Sequence, residues 1–359
     1  MKKTSKKSPL RPVRLAIVGT GGMANAHATE FLKIPKVEIV AVCDVSAERA
    51  GAFVAKHAPK ALVFDNLTDL LREADVDAVA NVTPDNLHAP LSLEVIAAGR
   101  HILCEKPLAT NYADALKMAK AAKKAGVINM VNFSYRNAAA IQKARDLVES
   151  GELGEIVHIE ASYLQSWLVS KAWGAWNETP AWLWRLSSKH GSRGVLGDVG
   201  VHILDFASLP VGPICKVNAR LKTFKKIKGK RIGEYPLDAN DSALLTVEFA
   251  NGALGVIHTT RFATGYPNSL ALRVHGTKGA LRIDLDKSYD TLDVCLGANV
   301  DKFAWETIKA PPVPNIYQRF VEAIRTGKNG DPDFARGAEI QKILDACFES
   351  DEDGRTVKI

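Results

Sequence analysis

Long apolar runs are missing from this 359-residue sequence. No stretch approaches the ~18 residues that a membrane span needs, so no membrane partner is expected. Cysteine is scarce. The five that occur, Cys43, Cys104, Cys215, Cys295 and Cys347, are odd in number and scattered, with no C-x-x-C pair. Neither a disulfide framework nor a zinc site is indicated, no metal is expected, and a reducing cytoplasm is the expected compartment. Excess charge is slight, because four of the seven net positive charges sit on Lys2, Lys3, Lys6 and Lys7. That leaves a mildly basic globular part, and no nucleic-acid partner is expected. The basic start, Leu15 to Val18 and Ala24-Asn25-Ala26 imitate the three regions of a signal peptide, but Arg14 and the glycines interrupt the apolar core. No internal repeat, low-complexity segment or long linker occurs. With 47% hydrophobic and 24% charged residues, the chain has ample material for a core, in two domains.

What is present begins with a strand, glycine turn and helix. Val13 to Val18 is an apolar run of strand length; Gly19-Thr20-Gly21-Gly22-Met23-Ala24 follows, and Asn25 to Leu32 reads as a helix. A second apolar run, Val37 to Val42, delivers Asp44 twenty residues after Ala24. Gly19 permits the tight turn, Gly21 lets backbone N–H groups approach a pyrophosphate, and small Ala24 lets helix and strand pack closely. The helix N-terminus offers unpaired N–H groups to phosphate, and Asp44 is placed to accept the hydroxyls of an adenine ribose. This is the grammar of dinucleotide binding. Asp44 would repel a 2′-phosphate, so NAD is the expected cofactor; NADP stays possible because Arg49 can reach such a phosphate.

Strands and helices continue to alternate: Ala47 to Lys56 helical, Leu62 to Phe64 and Asp77 to Val82 extended, Asn86 to Ala98 helical, His101 to Cys104 extended, Asn111 to Ala125 helical, Ile128 to Phe133 extended. Such alternation implies a parallel sheet covered on both faces, with ligands at the strand carboxyl ends. The glycine turn, Thr83-Pro84-Asp85-Asn86-Leu87-His88 and Glu105-Lys106-Pro107 all stand there. Beyond a helix at Ala138 to Ser150 the pattern changes to period-two runs, at Val157 to Leu164, Ala243 to Phe249, Ala253 to Thr260, Ser269 to His275 and Ala280 to Leu285. Turns such as Asn251-Gly252 mark an antiparallel sheet.

Gly19-x-Gly21-x-x-Ala24, Thr83-Pro84 with His88, Glu105-Lys106-Pro107 and Gly197-Asp198-Val199-Gly200-Val201-His202-Ile203-Leu204-Asp205 together resemble the glucose-fructose oxidoreductase, inositol dehydrogenase and rhizopine-catabolism (GFO/IDH/MocA) family. The resemblance runs in order from Val13 to the last helix. Ala24 stands where many members carry a third glycine, and Gly191-Ser192-Arg193-Gly194 departs from a frequent glycine run. The fold it implies is an α/β Rossmann domain followed by an α+β domain with a large, open, mainly antiparallel sheet. The boundaries are a disordered basic tail at 1–11, the dinucleotide-binding domain at 12–134 and a substrate-binding and oligomerisation domain at 135–359. The cofactor residues it implies are Gly19, Gly21, Gly22, Met23, Ala24, Asp44, Thr83, Pro84, His88, Glu105 and Lys106. It also implies a cis Lys106-Pro107 bond, a lysine at 106 that touches cofactor and substrate, and assembly as a homodimer or homotetramer through the open sheet. For His88, packing at a helix N-terminus is an equal reading.

Asp198 and His202 stand four apart, on one face if the segment is helical, with Asp205 three further on. A hydroxyl-bearing substrate beside nicotinamide needs a group to take its proton as hydride leaves carbon, and histidine titrates in the right range. The expected catalytic residues are therefore Asp198 and His202, together with Lys106, which the resemblance implies. Arg185 after Trp184 resembles a family Trp-Arg pair near the substrate, so Trp184 and Arg185 join Lys106, Asp198 and His202 as substrate-binding residues. Arg193 and Arg136 are further candidates for a carboxylate or phosphate. Trp167 to Arg185 holds five of six tryptophans, rings that either stack on a sugar or fill a core or subunit interface. Lys222, Lys225, Lys226, Lys228, Lys230 and Arg231 read as a solvated hairpin. The expected activity is an NAD(P)-dependent oxidoreductase moving hydride between nicotinamide and a hydroxyl carbon of a sugar, an inositol-like polyol or a related compound. An NAD-retaining hydrolase or eliminase and a noncatalytic dinucleotide sensor are the alternatives.

Overall fold

The structure is a computed structural model that describes residues 11–359. The expected tail lies outside the described residues except for Arg11, whose guanidinium pairs with Asp77 at 2.5 Å. Two compact units emerge: 11–109 with 114–132 and 316–336, and 110–113 with 133–315 and 337–359. The segment 316–336 therefore interrupts the stretch 135–359. Its helix, Ile316–Thr326, buries Ile316, Tyr317, Phe320, Val321 and Ala323 in the core of the first unit.

The first unit is built on six parallel strands, β1 (Val13–Val18), β2 (Val37–Cys43), β3 (Leu62–Phe64), β4 (Ala78–Asn81), β5 (His101–Cys104) and β6 (Asn129–Val131), in spatial order β3-β2-β1-β4-β5-β6. Near-continuous burial of β1, β4 and β5 explains their unbroken apolar runs, since helices cover both faces. Helix Gly22–Leu32 buries Ala24, His27, Ala28 and Phe31, one stripe at helical spacing. It starts three residues earlier than the apolar pattern indicates, directly on the glycine turn. Helix Leu67–Glu73, capped by the Asn66 side chain, goes unsignalled by its short sequence pattern. The strand order reverses between β1 and β4, so Gly19, Thr83 and Glu105 follow the adjacent strands β1, β4 and β5. In such sheets the crevice for ligands opens at this reversal.

The second unit carries nine strands in the order Glu306–Lys309, Thr291–Leu296, Gly279–Asp284, Ser269–Gly276, Ile156–Leu164, Leu254–Thr260, Ser242–Phe249, Ile214–Lys222 and Val357–Lys358. All pairings are antiparallel except that of Leu254–Thr260 with Ile156–Leu164. Burial alternates along Ser242–Phe249 and Leu254–Thr260, and leaves Leu244, Leu254 and Val256 exposed on the open face. Helices Ala139–Glu149 and Val201–Val211 pack on each other, and Val201–Val211 packs on Ile156–Leu164. The basic run is not wholly solvated: Lys226 is buried against Asp241 at 2.5 Å, while Lys225 and Lys228 stay at the surface. Among the described residues, no helix is long and apolar enough to cross a membrane.

Candidate active site

In the first unit the glycine turn is fixed by steric necessity. Gly19 has φ +85°, and a Cβ there would meet the Val82 carbonyl oxygen at 2.7 Å, so only glycine fits. At Gly21 and Gly22 a Cβ would meet open space, and Gly21 caps the helix without a side-chain hydrogen bond. The first-turn N–H groups thus border an open approach, the arrangement a pyrophosphate requires. Ala24 is buried beneath the helix and Met23 is exposed beside it.

Asp44 ties this turn to β2. Its Oδ2 accepts from the Thr20 N–H and the Thr20 hydroxyl, each at 2.8 Å, and its Oδ1 accepts from Ser46 N–H at 2.9 Å and from Arg49 Nη2 at 2.7 Å. Burial opposes ionisation, yet the Arg49 bond and the Ser46 and Thr20 donors hold the carboxyl down at about 2. Both oxygens are engaged before any ribose arrives. A ribose diol must share them or displace Arg49, whose side chain is 56% exposed.

At the end of β4, the Asn81 side chain accepts from Thr83 N–H at 3.3 Å and from the Thr83 hydroxyl at 2.6 Å, and donates to the His88 carbonyl at 3.2 Å. Pro84 stands at the N-cap of helix Asp85–Ala97. His88 is completely buried, with Nδ1 2.7 Å from the Pro107 carbonyl oxygen and Nε2 2.9 Å from that of Thr83. It ties together the two loops that follow β4 and β5. The Lys106-Pro107 bond is cis. Lys106 itself is half-buried.

Glu105 is buried in a network invisible to short-range reading. Its Oε1 accepts from His27 Nε2 at 2.7 Å and from Asn132 Nδ2 at 2.6 Å, and its Oε2 accepts from Lys106 N–H at 3.2 Å. Burial would raise the carboxyl; the His27 bond, the charges of His27 and Lys106 and the Asn132 bond bring it down to about 2. Tyr317 packs edge-on against His27, ring centroids 5.1 Å apart. The helix after the glycine turn, the lysine-bearing loop and the residue that follows β6 are thus joined through one carboxylate.

In the second unit, Leu196–Gly200 is one turn of π-helix running into helix Val201–Val211. A single wide turn of this kind is a frequent device at functional positions. Glycine suits it: a Cβ on Gly197 would collide with Arg193 Cβ, and one on Gly200 would lie 2.8 Å from Leu196 Cδ1. Asp198 lies on the wide turn and His202 on the helix, so the spacing differs from an ordinary α-helical i, i+4 pair. His202 is 8% exposed and meets the Tyr135 ring edge-on, centroids 5.0 Å apart at 90°.

Tyr135, Tyr163 and Asn268 form a closed ring of hydrogen bonds beside this imidazole. Asn268 Nδ2 donates to Tyr135 Oη at 2.8 Å, the two hydroxyl oxygens are 2.6 Å apart, and Tyr163 donates to Asn268 Oδ1 at 2.7 Å. Burial raises both phenols, Tyr163 the more, so both keep their protons. With Tyr163 donating to Asn268, the Tyr135 hydroxyl must donate to Tyr163.

The arginines divide. Arg136 is buried and its Nε and Nη2 each meet Asp205 at 2.7 Å, so this candidate for a carboxylate or phosphate is half of an internal ion pair. Arg193 pairs with Asp345 at 2.9 Å and stacks over Phe348. Arg185 stacks on Trp184 at 4.5 Å and has Nε 3.9 Å from Asp198 Oδ2. The other guanidinium on Asp198 belongs to Arg261, at 3.1 Å. Trp167 fills a small core with Leu168, Leu183, Leu186 and Leu237, against which Trp176 and Trp182 pack. Sequence reasoning passed over Arg261, Tyr135, Tyr163, Asn268, His27 and Asn132. The one available signal was position, since Arg261 directly follows an apolar strand.

Residues 13–133 match a family profile described as an oxidoreductase family with an NAD-binding Rossmann fold, and residues 141–282 match the GFO/IDH/MocA C-terminal domain. Levoglucosan dehydrogenase of Pseudarthrobacter phenanthrenivorans is 28% identical over 95% of this chain and 96% of its own length. D-glucoside 3-dehydrogenase of Escherichia coli is 28% identical over 97% of this chain and 98% of its own. The solved structure of a levoglucosan dehydrogenase in complex with NADH and levoglucosan superimposes with a TM-score of 0.87 at 26% identity, over 97% of this chain and 100% of that one.

Proposed function

The chain belongs to the GFO/IDH/MocA family of NAD-dependent oxidoreductases, and from that premise we propose that it oxidises a secondary hydroxyl of a sugar or a closely related cyclic polyol, with His202 as general base. The observation that carries this reading is the imidazole of His202, nearly buried beside two protonated phenols and one turn from a carboxylate braced by arginine. Such a group can take a hydroxyl proton at neutral pH, and the phenols offer no competing base. Asp198 orients the substrate by accepting from a sugar hydroxyl. Lys106 steadies the alkoxide that develops as the proton leaves, a role its ammonium fills with charge alone. Thr83, Pro84 and the turn from Gly19 to Ala24 hold the cofactor, with buried His88 and Glu105 bracing the loops that carry them. Their fit is physical: an open helix N-terminus for the pyrophosphate and an acid at the end of β2 for the ribose. When bound, NAD supplies the hydride acceptor.

Two relatives covering nearly the whole chain are named for sugar hydroxyl oxidation, which supports this substrate class over acyclic alcohols. Exposed Leu244, Leu254 and Val256 on the open sheet face support assembly of identical chains there, as a homodimer or homotetramer, and free Cys43, Cys104, Cys215, Cys295 and Cys347 support a reducing cytoplasm. The deciding experiment is a screen of NAD reduction over sugars, anhydrosugars, glycosides, inositols and sugar acids, read as NADH absorbance. Net NADH formation with a cyclic hydroxyl compound supports the reading. Product release without NADH accumulation would instead indicate an enzyme that oxidises its substrate only transiently.

A further inference from the structure

Arg261 sits directly after strand Leu254–Thr260 and is 0% exposed. Its Nη2 donates to Asp198 Oδ2 at 3.1 Å, its Nη1 donates to the Arg185 carbonyl oxygen at 3.0 Å, and its guanidinium lies over the Trp167 ring at 4.9 Å. The backbone is held as firmly: Arg261 N–H donates to the Asp241 carbonyl oxygen at 3.0 Å, and its own carbonyl accepts from Leu168 N–H at 3.3 Å. Trp167 is fixed in turn by its Nε1 donating to Gln165 Oε1 at 3.1 Å. The carboxylate it serves differs in one respect, since the Asp198 side chain is 27% exposed.

A fully buried guanidinium is a poor stabiliser, because pairing recovers only part of what its removal from water costs. Burial duly pulls the Arg261 proton affinity down while the charges of Asp198 and Asp241 push it back up. Replacing a whole buried ion pair by apolar side chains is often neutral for stability. The expense has a purpose if the partner carboxylate must stay charged and stay aimed. We infer that Arg261 is a positioning residue for the oxidation proposed above: from beneath, it fixes the ionised Asp198 carboxylate in the orientation that receives a substrate hydroxyl. This inference rests on the sugar-oxidation reading.

The tryptophan-rich segment then has a third job besides sugar stacking and core filling. Trp167 braces Arg261, while Trp184 and Trp182 brace Arg185, at 4.5 and 5.4 Å, on the same carboxylate. Flat aromatic faces hold guanidinium groups in place without adding a second acceptor that would compete with Asp198.

The test is a double-variant cycle on the full chain, with Arg261→Met, Asp198→Asn and the pair together. The measurements are kcat and KM for a productive sugar and NADH affinity by calorimetry, all normalised to folded protein. Arg261→Met should raise KM about tenfold or more, as loss of a bond between charged groups does, and leave NADH affinity within about twofold. In the Asp198→Asn background the same change should have less than about a twofold further effect, because its route of action is already cut. Equal effects in both backgrounds, or an unchanged KM in Arg261→Met, overturn the assignment. If Arg261→Met does not fold, Arg261→Lys decides. It should raise KM by a smaller factor with Asp198 present and not at all with Asp198→Asn; equal effects again overturn the assignment. A wild-type enzyme that reduces no NAD with any cyclic hydroxyl compound overturns the sugar reading, and this inference with it.

Discussion

His88 Nδ1 lies 2.7 Å from the carbonyl oxygen of Pro107, and its other ring nitrogen faces a second carbonyl, that of Thr83, at 2.9 Å. Carbonyl oxygens only accept, so both nitrogens must carry hydrogen and the ring is an imidazolium. Burial alone would push the group down; neighbouring Cys104, Asp85 and the Pro107 carbonyl lift it to about 10. A folded value above the unfolded 6.5 means a stability contribution fully present below pH 6.5 and lost as pH rises toward 10. Replacing His88 by Asn should therefore cost on the order of a few kcal/mol at pH 6.5 and much less at pH 9.5. Urea unfolding of both proteins across this range checks it. Parallel curves would show that the ring is neutral.

Glu105 has the opposite sign. Its folded value of about 2 lies below the unfolded 4.5, so its contribution is present above pH 4.5 and disappears as pH falls toward 2. His27→Phe keeps an aromatic ring against Tyr317 but removes a donor to a buried carboxylate. The expected cost is about 2–4 kcal/mol at pH 7, with acid unfolding beginning at higher pH than in the parent. Circular dichroism during acid titration reads this directly, and an unshifted acid midpoint would contradict it.

What the sequence disclosed followed interaction range. Strand, turn and helix around Gly19 are written locally, as runs of period two or 3.6 broken by glycine, and Asp44 falls at a fixed distance from them. The arginines were legible only as a set. Arg136, Arg185 and Arg193 look alike along the chain, yet Asp205, Asp198 and Asp345 give them three different fates. Lys226 differs from Lys225 and Lys228 through its pairing with Asp241, fifteen residues away. Arg261 escaped notice because its partner Asp198 lies 63 positions earlier. The π turn at Leu196–Gly200 is hidden for another reason: its glycines carry no periodicity, and their physical function, to admit Arg193 and Leu196 where a Cβ would stand, depends on the folded turn.

The Arg136 and Asp205 pair makes a prediction about stability alone. Both side chains are buried, so Arg136→Met leaves a carboxylate without its counter-charge and should cost about 3–5 kcal/mol. Adding Asp205→Leu removes the stranded charge and should recover most of that loss. Urea midpoints of the single and double variants decide it; a double variant as unstable as the single would show that packing, not charge, dominates.

Cofactor choice turns on Asp44 and Arg49. NADH should bind more tightly than NADPH, because the carboxylate repels a 2′-phosphate. Arg49→Ala should weaken NADPH several-fold more than NADH, since only the phosphate gains from that guanidinium. Calorimetric titration with both cofactors gives the answer, and tighter binding of NADPH to the parent enzyme would reverse the assignment.

Chemistry at His202 separates most sharply from chemistry at Lys106. A base that removes the hydroxyl proton contributes about 10²-fold or more to turnover, so His202→Ala should lower kcat by that factor and leave NADH affinity within a few-fold. Lys106→Ala should lower turnover and weaken NADH together, because the proposed ammonium meets both cofactor and substrate. Loss of the imidazole also removes an edge-on partner of Tyr135, so some drop in melting temperature is expected and activity must be expressed per folded molecule. His202→Asn, which keeps polarity without a base, should be as slow as the alanine variant. If it instead turns over near the parent rate, proton removal lies elsewhere and Lys106 becomes the preferred base.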